Sequence, residues 1–454
     1  MKKLNLNSLM HKILIVFLII QPIFDIKFFY NSISTLIRVI VIFALFSYYF
    51  LTSKSKHKFW LLIYPCLLGI YFIFHHLNAL SFHSLVPGNF NYSIIEEALY
   101  FVKMISPFML IYCIYKASIK QNTIINVMKT LTLIISLTII ISNLFVFSYG
   151  SYSDATIKAN FFEWFNPNTN YSYRDLASKG LFEFGNQIAA LLIMFLPFMI
   201  YSALEKRKMQ NWLIVILNIF SLVLLCTRVS VLGVFIVLVY TILVCCFIDF
   251  INKRHFKFKQ YIPIVVIFLV CILLLPFNPM FSRLLERETV IETFKKEEIN
   301  EPSGFTIEDG RSATSRISDN ISDDIINNIA STPDTSSDTY MFQYIENNYE
   351  NKQIHKQFIF ENYPYKYDPE FWYEFLQEDI SRTTDYRYIE LSMIKRVVEI
   401  NNNPLDKWLG ITNTRLQNIF NIEKDFVVQY YALRYYWNIS NFCTILCNFT
   451  NFCI

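Results

Sequence analysis

Thr227 and Arg228 lie between two long apolar stretches and are the first candidates for chemistry in this chain. The stretches run from Asn211 to Cys226 and from Val229 to Phe250, so almost no loop separates them. A charged side chain held between two membrane helices is costly and is therefore a candidate for function. Arginine stays protonated and binds phosphate oxygens in pairs. The sequence thus makes Arg228 a candidate functional residue; the alternative is a helix-end arginine whose charge reaches the membrane surface.

Arg382 is a second candidate, because it precedes a predicted helix in a later and more polar part of the chain. The helix is predicted to begin near Asp385, with Thr383 or Thr384 as its cap, and to end at residues 401–404. Amide groups and the macrodipole at a helix N-terminus favour anions. Arg382 is therefore expected to add its charge to a phosphate site, unless it is an ordinary solvated loop residue. The apolar positions that predict the helix are Tyr388, Leu391, Ile394, Val397 and Val398.

The elements that must position these arginines are membrane helices. Of the 454 residues, 54% are apolar and 17% are charged, a composition far from that of soluble globular proteins. Several apolar stretches exceed the roughly 18 residues that can span a bilayer. We therefore predict an all-α polytopic membrane protein with about ten transmembrane helices. The predicted spans before the last are residues 13–24, 33–51, 59–77, 98–115, 124–147, 181–204, 211–226, 229–250 and 261–280.

Charge divides the chain into three parts. Short clusters of Lys and Arg recur at alternate connections between the spans, which by the positive-inside preference predicts a cytoplasmic N-terminus. Most of the acidic residues follow the last of these spans, and after Leu433 the composition turns to Asn, Cys, Phe and Thr, for which a reading-frame change is one hypothesis. The predicted parts are membrane helices over 1–280, one long extracytoplasmic loop over 281–427, and a final membrane re-entry with an atypical tail over 428–454.

The sequence shows no spacing typical of a metal or cofactor site. Most of its nine cysteines fall inside apolar stretches, where Cys is usually a small hydrophobic residue. No Cys or His spacing matches a zinc site. We therefore expect neither a metal nor a cofactor, and we expect no nucleic-acid partner.

Three segments carry motifs in a fixed order along the chain. Residues 180–192 open the sixth span with Gly-Asn-Gln, and residues 226–233 form the Thr-Arg hairpin. The end of the long loop carries Ser-Arg at 381–382, Asn-Pro-Leu followed by Gly at 403–411, and an acidic segment at 422–426. Together these segments resemble the O-antigen ligase and polysaccharide polymerase superfamily. In that family a second glycine is common where this chain has Thr412, and further spans usually follow the acidic segment.

The resemblance implies an inverting, metal-independent glycosyltransferase that uses undecaprenyl-diphosphate-linked sugars. Such enzymes are multi-pass proteins that work at the outer face of the bacterial cytoplasmic membrane. They either polymerise repeat units or transfer a finished glycan to an acceptor. We predict a polymerase that makes a capsular or other surface polysaccharide, with an O-antigen-ligase-like transfer to a lipid or wall acceptor as the alternative. The partners implied are the lipid-linked oligosaccharides, membrane lipids, a flippase and chain-length regulator proteins.

The resemblance also suggests roles for individual residues. Negative charge builds on the departing diphosphate, and Arg228 and Arg382 are predicted to stabilise it. Glu423 and Asp425 are candidate bases for the proton of the acceptor hydroxyl. Residues predicted to bind substrate are Arg174, Arg387, Asn186 and His355, of which His355 is also a candidate base and the candidate for the outer-loop histidine of the family's ligases.

Two functions from other classes compete with this prediction. A flippase or other transporter commonly shows repeated halves and polar sites at the membrane midplane, and no internal repeat is visible in this sequence. A sensor with a ligand-binding outer loop would need a cytoplasmic output domain, which the sequence does not show. A single long outer loop late in the chain favours an enzyme that acts outside the membrane.

Overall fold

A computed structural model shows a helical chain. It describes residues 6–27, 32–54, 59, 62–86, 90–150, 156–166, 168, 170–251, 261–283, 285, 289, 336–419 and 430–433. In these ranges the β-type pairings are two isolated bridges, which join Tyr149 to Thr156 and Gly150 to Ser178. Six helices in these ranges are long and apolar enough to cross a membrane, and three others are shorter but apolar. The prediction of an all-α polytopic membrane protein is therefore confirmed.

Each predicted span before residue 280 corresponds to one described helix. The predicted sixth span began at Leu181, but the helix begins at Gly185, because the preceding residues form a turn. Of the predicted tenth span, the described residues 430–433 are helical, and the tail after Leu433 lies outside the described residues. The helices are α1 Leu6–Lys27, α2 Ser32–Thr52, α3 Ile63–Leu80, α4 Ile94–Lys116, α5 Gln121–Leu144, α6 Tyr173–Leu176, α7 Gly185–Lys206, α8 Met209–Leu224, α9 Arg228–Ile251 and α10 Ile262–Leu274.

The later segment, where it is described, is also helical. A π-helical turn lies at Gln357–Asn362, and 3₁₀ turns lie at Phe161–Phe165 and Leu275–Phe277. The remaining α-helices are α11 Ser336–Asn348, α12 Pro369–Leu376, α13 Ile380–Thr383, α14 Tyr386–Asn401, α15 Asp406–Leu409 and α16 Asn413–Ile419.

The chain forms two compact units. The first unit comprises Met1–Ser55 and Ser106–Thr289, and the second comprises Lys56–Ile105 and Val290–Ile454. The helix α3 and the beginning of α4, which the sequence groups with the membrane helices, thus belong to the same unit as the long later segment.

The first unit is built around α8. Helices α5, α7 and α9 pack against it, and its apolar side chains are buried on several sides. Ser136 of α5 and Ser221 of α8 meet with their Oγ atoms 3.0 Å apart, and small residues of this kind let membrane helices approach closely. Gly233 of α9 allows the same close approach, since a Cβ there would lie 2.3 Å from Ile193 Cδ1.

The second unit has an aromatic core. Tyr363 and Trp372 are fully buried, and the Trp372 indole donates a 2.7 Å hydrogen bond to the Tyr363 carbonyl. Asp368 accepts from the Tyr363 hydroxyl (2.7 Å) and caps α12. The Arg396 guanidinium of α14 donates two hydrogen bonds to the same carboxylate, at 2.8 and 2.9 Å. Because that buried carboxylate is fully hydrogen-bonded, it joins α12 to α14.

Helix α14 ends where the sequence predicts, but its cap and its buried face differ from the prediction. Asp385 caps the helix by accepting from the Arg387 N–H at 3.1 Å, so neither Thr383 nor Thr384 serves as the cap. An Asp carboxylate is as good a cap as a hydroxyl. Asp385 directly precedes the first residue of α14, whereas Thr384 is one residue further from it. The buried apolar positions are Ile389, Met393, Ile394 and Val397, while Tyr388, Leu391 and Val398 are only partly buried.

The turn between α14 and α16 is held on α3 by side-chain hydrogen bonds. Asp406 accepts from Asn78 of α3 at 2.8 Å and from Asn401 at 2.6 Å. His75 of α3 contacts the Leu409 carbonyl at 2.7 Å. In an apolar setting each unsatisfied polar group costs several kcal/mol, so this buried network specifies how the turn sits on α3.

The beginning of α4 holds α16 in a similar way. The buried Glu97 carboxylate accepts from the backbone N–H groups of Asn413 (3.1 Å) and Thr414 (3.0 Å), which begin α16. Arg415 is also buried, and its guanidinium donates to the Ala79 carbonyl at 2.7 Å and lies 4.2 Å from the centre of the Phe82 ring. Burial lowers the pKa of Arg415 to about 10, so the side chain stays charged at neutral pH.

Two positions in the segment Gly410–Thr412 have a backbone that suits glycine. The first also lies too close to the backbone of Ala432 for a side chain. Gly410 has φ +75°, and a Cβ there would lie 2.0 Å from the Ala432 carbonyl oxygen. Thr412 has φ +80° and is fully buried. A β-branched residue in the left-handed region is a strained outlier that costs about 1–3 kcal/mol. The backbone at position 412 therefore favours glycine, although this chain has threonine there.

We expect Thr412→Gly to be more stable than Thr412→Ala. Both variants lose the buried Thr side chain, but only glycine relieves the left-handed strain, which is worth about 1–2 kcal/mol. The measurement is thermal unfolding of the purified full-length protein in detergent. At the neighbouring Thr414, which lies in α16, the same pair of substitutions should give the opposite order, since alanine is favoured over glycine in a helix. A more stable Thr412→Ala would show that position 412 is not strained.

Candidate functional site

A tight turn joins α8 to α9 and makes Arg228 the first residue of α9. Cys226 in this turn has a left-handed backbone with φ +50°. The Thr227 hydroxyl accepts from the Ser230 N–H at 3.1 Å, and the Ser230 hydroxyl accepts from the Thr227 N–H at 3.2 Å. Reciprocal capping of this kind fixes the first turn of a helix. The backbone that carries Arg228 is thus held in one conformation.

The backbone carbonyls at the end of α8 are bonded by other parts of the first unit. The Asn278 side-chain amide donates to the Val223 carbonyl at 3.1 Å, and the Ser178 N–H donates to the Leu224 carbonyl at 3.0 Å. The Tyr173 hydroxyl donates to the Cys226 carbonyl at 3.2 Å. The segment after α10 and the connection between α5 and α7 are therefore both attached to the α8–α9 turn.

These contacts bring cations from separate parts of the chain to the α8–α9 turn. Arg174 directly follows Tyr173 on α6. The Arg283 guanidinium lies 5.2 Å from the centre of the Tyr173 ring. Lys179 is buried, and its ammonium group donates to the Glu183 carbonyl at 2.8 Å, which closes the loop before α7. We call these residues the crest cluster; its members are Arg174, Lys179, Arg228 and Arg283.

The beginning of α7 lies beside the same turn. A Cβ at Gly185 would lie 3.6 Å from both Thr227 Cγ2 and Lys179 Cγ. Asn186 is the second residue of α7 and is half-buried, so it is next to the crest cluster but does not cap the helix. Of the predicted residues, Arg174 and Asn186 thus each directly follow a residue that lies beside the α8–α9 turn, and Arg228 stands on that turn.

Arg228 and Arg174 are exposed and available for a ligand. Within the part of the chain that the structure describes, neither guanidinium has a hydrogen bond or an ion pair to the protein. The nearest carboxylate on α6, Asp175, is already paired with Lys158 at 2.8 Å. Although burial raises the pKa of Asp175, the hydrogen bonds from Lys158 and Ser172 lower it below its usual value. Asp175 therefore keeps its charge with Lys158 and does not neutralise Arg174.

Arg382 has a partner within the second unit. Its guanidinium donates a 2.7 Å hydrogen bond to the Glu378 carboxylate and lies 5.4 Å from the centre of the Tyr388 ring. The Glu378 carboxylate raises the pKa of Arg382. The N-terminal amide of α14 is also occupied, because Asp385 accepts from it. An anion that binds here must therefore compete with two carboxylates.

His355 and Arg387 are located near the same end of α14. The His355 ring lies 6.3 Å from the Tyr386 ring, centre to centre, and its Nδ1 accepts from the Gln357 N–H at 3.2 Å. Arg387 is exposed on the first turn of α14. The second unit thus brings His355, Arg382 and Arg387 to the beginning of one helix.

Sequence reasoning missed Lys179, Arg283 and the tyrosine that joins them to the turn. Arg283 follows the ninth predicted span by three residues, so the sequence does indicate that it lies near the end of a membrane helix. Its contact with Tyr173 depends on the fold of the connection between α5 and α7, which no periodicity predicts. Glu423 and Asp425, the candidate bases, lie outside the described residues. Among the residues that are described, no group of three His, Cys, Asp or Glu side chains is placed to hold a metal ion.

Comparison with known proteins identifies the family. No curated protein and no solved structure matches the chain. The family model described as O-antigen ligase like membrane protein matches residues 7–454, which include the α8–α9 hairpin and the whole later segment. This match supports a membrane protein of the surface glycan ligase or polymerase type. The chain therefore belongs to the O-antigen ligase-like family of membrane proteins.

Proposed function

We propose that the protein is a polymerase that joins undecaprenyl-diphosphate-linked oligosaccharide repeat units into a capsular or other surface polysaccharide. Family membership establishes a glycan-transferring type of membrane protein; the donor, the inverting and metal-independent chemistry and the polymerase role are our proposal. The corresponding place of action is the outer face of the bacterial cytoplasmic membrane, with the N-terminus on the cytoplasmic side. The proposed partners are the lipid-linked oligosaccharides, membrane lipids, a flippase and a chain-length regulator.

The observation that carries the proposal is the crest cluster. Two guanidinium groups, those of Arg174 and Arg228, have no partner among the described residues and belong to parts of the chain that Tyr173 joins. Arg228 also stands on the first turn of α9, where backbone N–H groups lack acceptors within the helix and favour an anion. A diphosphate provides several charged oxygens at the spacing that arginine forks bind in pairs. The cluster is therefore built for a polyanion rather than for a single carboxylate.

The reaction that fits such a site is displacement of a diphosphate from the anomeric carbon of a sugar. The acceptor hydroxyl forms the new glycosidic bond from one side of the ring, and the bond to the diphosphate oxygen breaks on the other side, so the configuration inverts. The hydroxyl proton leaves to a base, and the electron pair leaves with the lipid diphosphate. Charge grows on that diphosphate in the transition state, and stabilising it is commonly the largest catalytic contribution. We assign this role to Arg228, with Arg174 and Asn186 holding the substrate beside it.

Several residues of the second unit are also proposed to take part in the reaction. Arg382 is the second proposed cation, and it must exchange Glu378 for the substrate before it can act. Arg387 is proposed to bind substrate from the first turn of α14. The proposed base is Glu423 or Asp425, and His355, half-buried beside Tyr386, is the remaining candidate.

Ligation of a finished glycan to a lipid or wall acceptor is the second candidate function, because membership of the O-antigen ligase-like family does not distinguish it from polymerisation. In both reactions the leaving group is a lipid diphosphate, so the proposed role of the crest cluster is the same. The difference lies in the acceptor, which in a polymerase is another lipid-linked glycan.

Arg228→Gln should lower the rate of glycan transfer by about 10²–10³-fold, the loss typical of removing one preorganised donor to a developing charge. Arg228→Lys should keep the charge but lose the paired geometry, and should recover only part of the rate. The measurement is transfer by purified, reconstituted full-length protein with lipid-linked repeat units. Lys120→Gln, at the exposed beginning of α5, is the matched control and should not change the rate. Normal transfer by Arg228→Gln would contradict the assignment.

Arg382→Gln should abolish most transfer while leaving the thermal unfolding temperature almost unchanged, because an exposed ion pair contributes little to stability. Its partner gives the control. Glu378→Gln removes the same ion pair but frees the guanidinium for the substrate, so its transfer rate should equal or exceed that of the wild type. Equal losses in both variants would mean that the ion pair, and not the free guanidinium, is what the protein needs.

The products of the same reconstituted reaction separate the candidate functions. A polymerase should convert lipid-linked repeat units into a ladder of lengthening chains in the absence of any other acceptor. Transfer in one step to an added lipid or wall acceptor, without a ladder, would favour the ligase. Movement of the donor across the bilayer without new glycosidic bonds would contradict both.

A further inference from the structure

Lys129 lies inside a membrane helix and has no counter-ion in the described structure. It is eight residues beyond the beginning of α5, which at 1.5 Å per residue is about 12 Å along the helix. Its ammonium group donates a 2.7 Å hydrogen bond to the Asn211 side-chain oxygen. Among the described residues no carboxylate forms an ion pair with it. An ammonium group has three donors, and a charged residue at such a position is costly unless it has a partner.

The surroundings of Lys129 add positive charge rather than remove it. Lys206 ends α7 and Lys208 directly precedes α8, so both lie at the turn beside Asn211, the residue that accepts from Lys129. Arg207 completes that turn with a left-handed backbone, φ +47°. Lys206 and Arg207 also complement the carbonyl end of α7, but that does not account for Lys129, which comes from a different helix.

The hydrogen bonds around Asn211 hold Lys129 at this turn. Asn211 receives the Lys129 donor on its oxygen and donates its own amide to the Ser202 carbonyl of α7 at 3.2 Å. Both Asn211 and Ser202 are buried. The first residue of α8 is Met209, so the N-terminal amides of α8 face the same corner and favour an anion. Three lysines and a helix N-terminus therefore converge on one place at the end of a membrane helix bundle.

We propose that this corner, formed by Lys129, Lys206, Lys208 and the beginning of α8, binds the phosphate of an anionic phospholipid headgroup. Glu205 is the one acidic residue in 205–208 and forms no ion pair with Lys129 in the described structure. A phosphate provides negative charge for the three lysines and can accept from the two remaining Lys129 donors. The lipid is favoured over free phosphate because the corner lies at the end of helices that are long and apolar enough to span a membrane, where headgroups are concentrated. The site lies within the first unit and does not depend on the proposed glycosyl transfer.

The test is native mass spectrometry of the purified full-length protein in detergent, titrated with phosphatidylglycerol and with phosphatidylcholine. We expect wild type to retain phosphatidylglycerol preferentially. Lys129→Gln should weaken that binding about fivefold, the effect of one lysine on an anionic lipid. Lys129→Arg should bind nearly as wild type, and Lys120→Gln, a solvent-exposed lysine that precedes α5, should not differ from it.

Further variants and a competitor make each outcome decisive. The double variant Lys206→Gln/Lys208→Gln changes only exposed residues and should also lose the preference, so the proposal stays testable if Lys129→Gln folds poorly. Inorganic phosphate in excess should leave phosphatidylglycerol bound. Complete displacement by inorganic phosphate would assign the corner to a free anion, and equal binding of both lipids by wild type, or of phosphatidylglycerol by wild type and the double variant, would overturn the proposal.

Discussion

The end of α8 is the constraint on which the first unit depends. A helix that stops inside an apolar bundle leaves carbonyl groups that no water can satisfy, and each one costs several kcal/mol if it stays unpaired. Asn278, from the segment after α10, and Ser178, from the connection between α5 and α7, donate to two of them, and Tyr173 of the same connection donates to the Cys226 carbonyl in the following turn. The same contacts gather the cations of the crest cluster. The segments that carry Arg174, Lys179 and Arg283 are thus attached to the α8–α9 turn by residues that complete its backbone hydrogen bonds.

The two candidate arginines differ in what holds them. Arg228 stands on a capped helix and has no protein partner in the described structure, so a substrate that reaches it displaces nothing but water. Arg382 is paired with Glu378 and lies over Tyr388, so binding there exchanges one carboxylate for another anion. A cation that is already in position and has no competing partner is better suited to stabilise developing charge. The proposed mechanism therefore has Arg228, rather than Arg382, as the main contact of the leaving diphosphate. The buried carboxylates of the second unit have a structural role. Those of Asp368, Glu97 and Asp406 accept hydrogen bonds from neighbouring helices and join them.

The membrane helices could be predicted because length and apolarity alone determine them. The α8–α9 hairpin was predicted for the same reason, since two apolar stretches with no residues to spare must turn sharply at Thr227. The contacts that make a site of this hairpin could not be predicted. They come from Tyr173 at the beginning of the short α6 and from Asn278 in the segment after α10, and the orientation of such short segments follows from carbonyls that only the folded bundle presents. The cap of α14 was missed on a smaller scale, because Thr384 and Asp385 are both good caps and sequence alone does not decide between neighbours. Strain at Thr412 was also hidden, as φ angles follow from the packing of residues 430–433 against the turn.

Equilibrium binding of a short isoprenoid diphosphate, compared with the matching monophosphate, tests most directly whether Arg228 holds a diphosphate. The measurement uses purified full-length wild type and Arg228→Gln, and it needs neither sugar nor turnover. Wild type should bind the diphosphate at least about tenfold more tightly than the monophosphate, since one further charge-assisted hydrogen bond is worth about 1.5–3 kcal/mol, and Arg228→Gln should lose that preference. An unchanged preference in Arg228→Gln would contradict the claim that this arginine binds the leaving group.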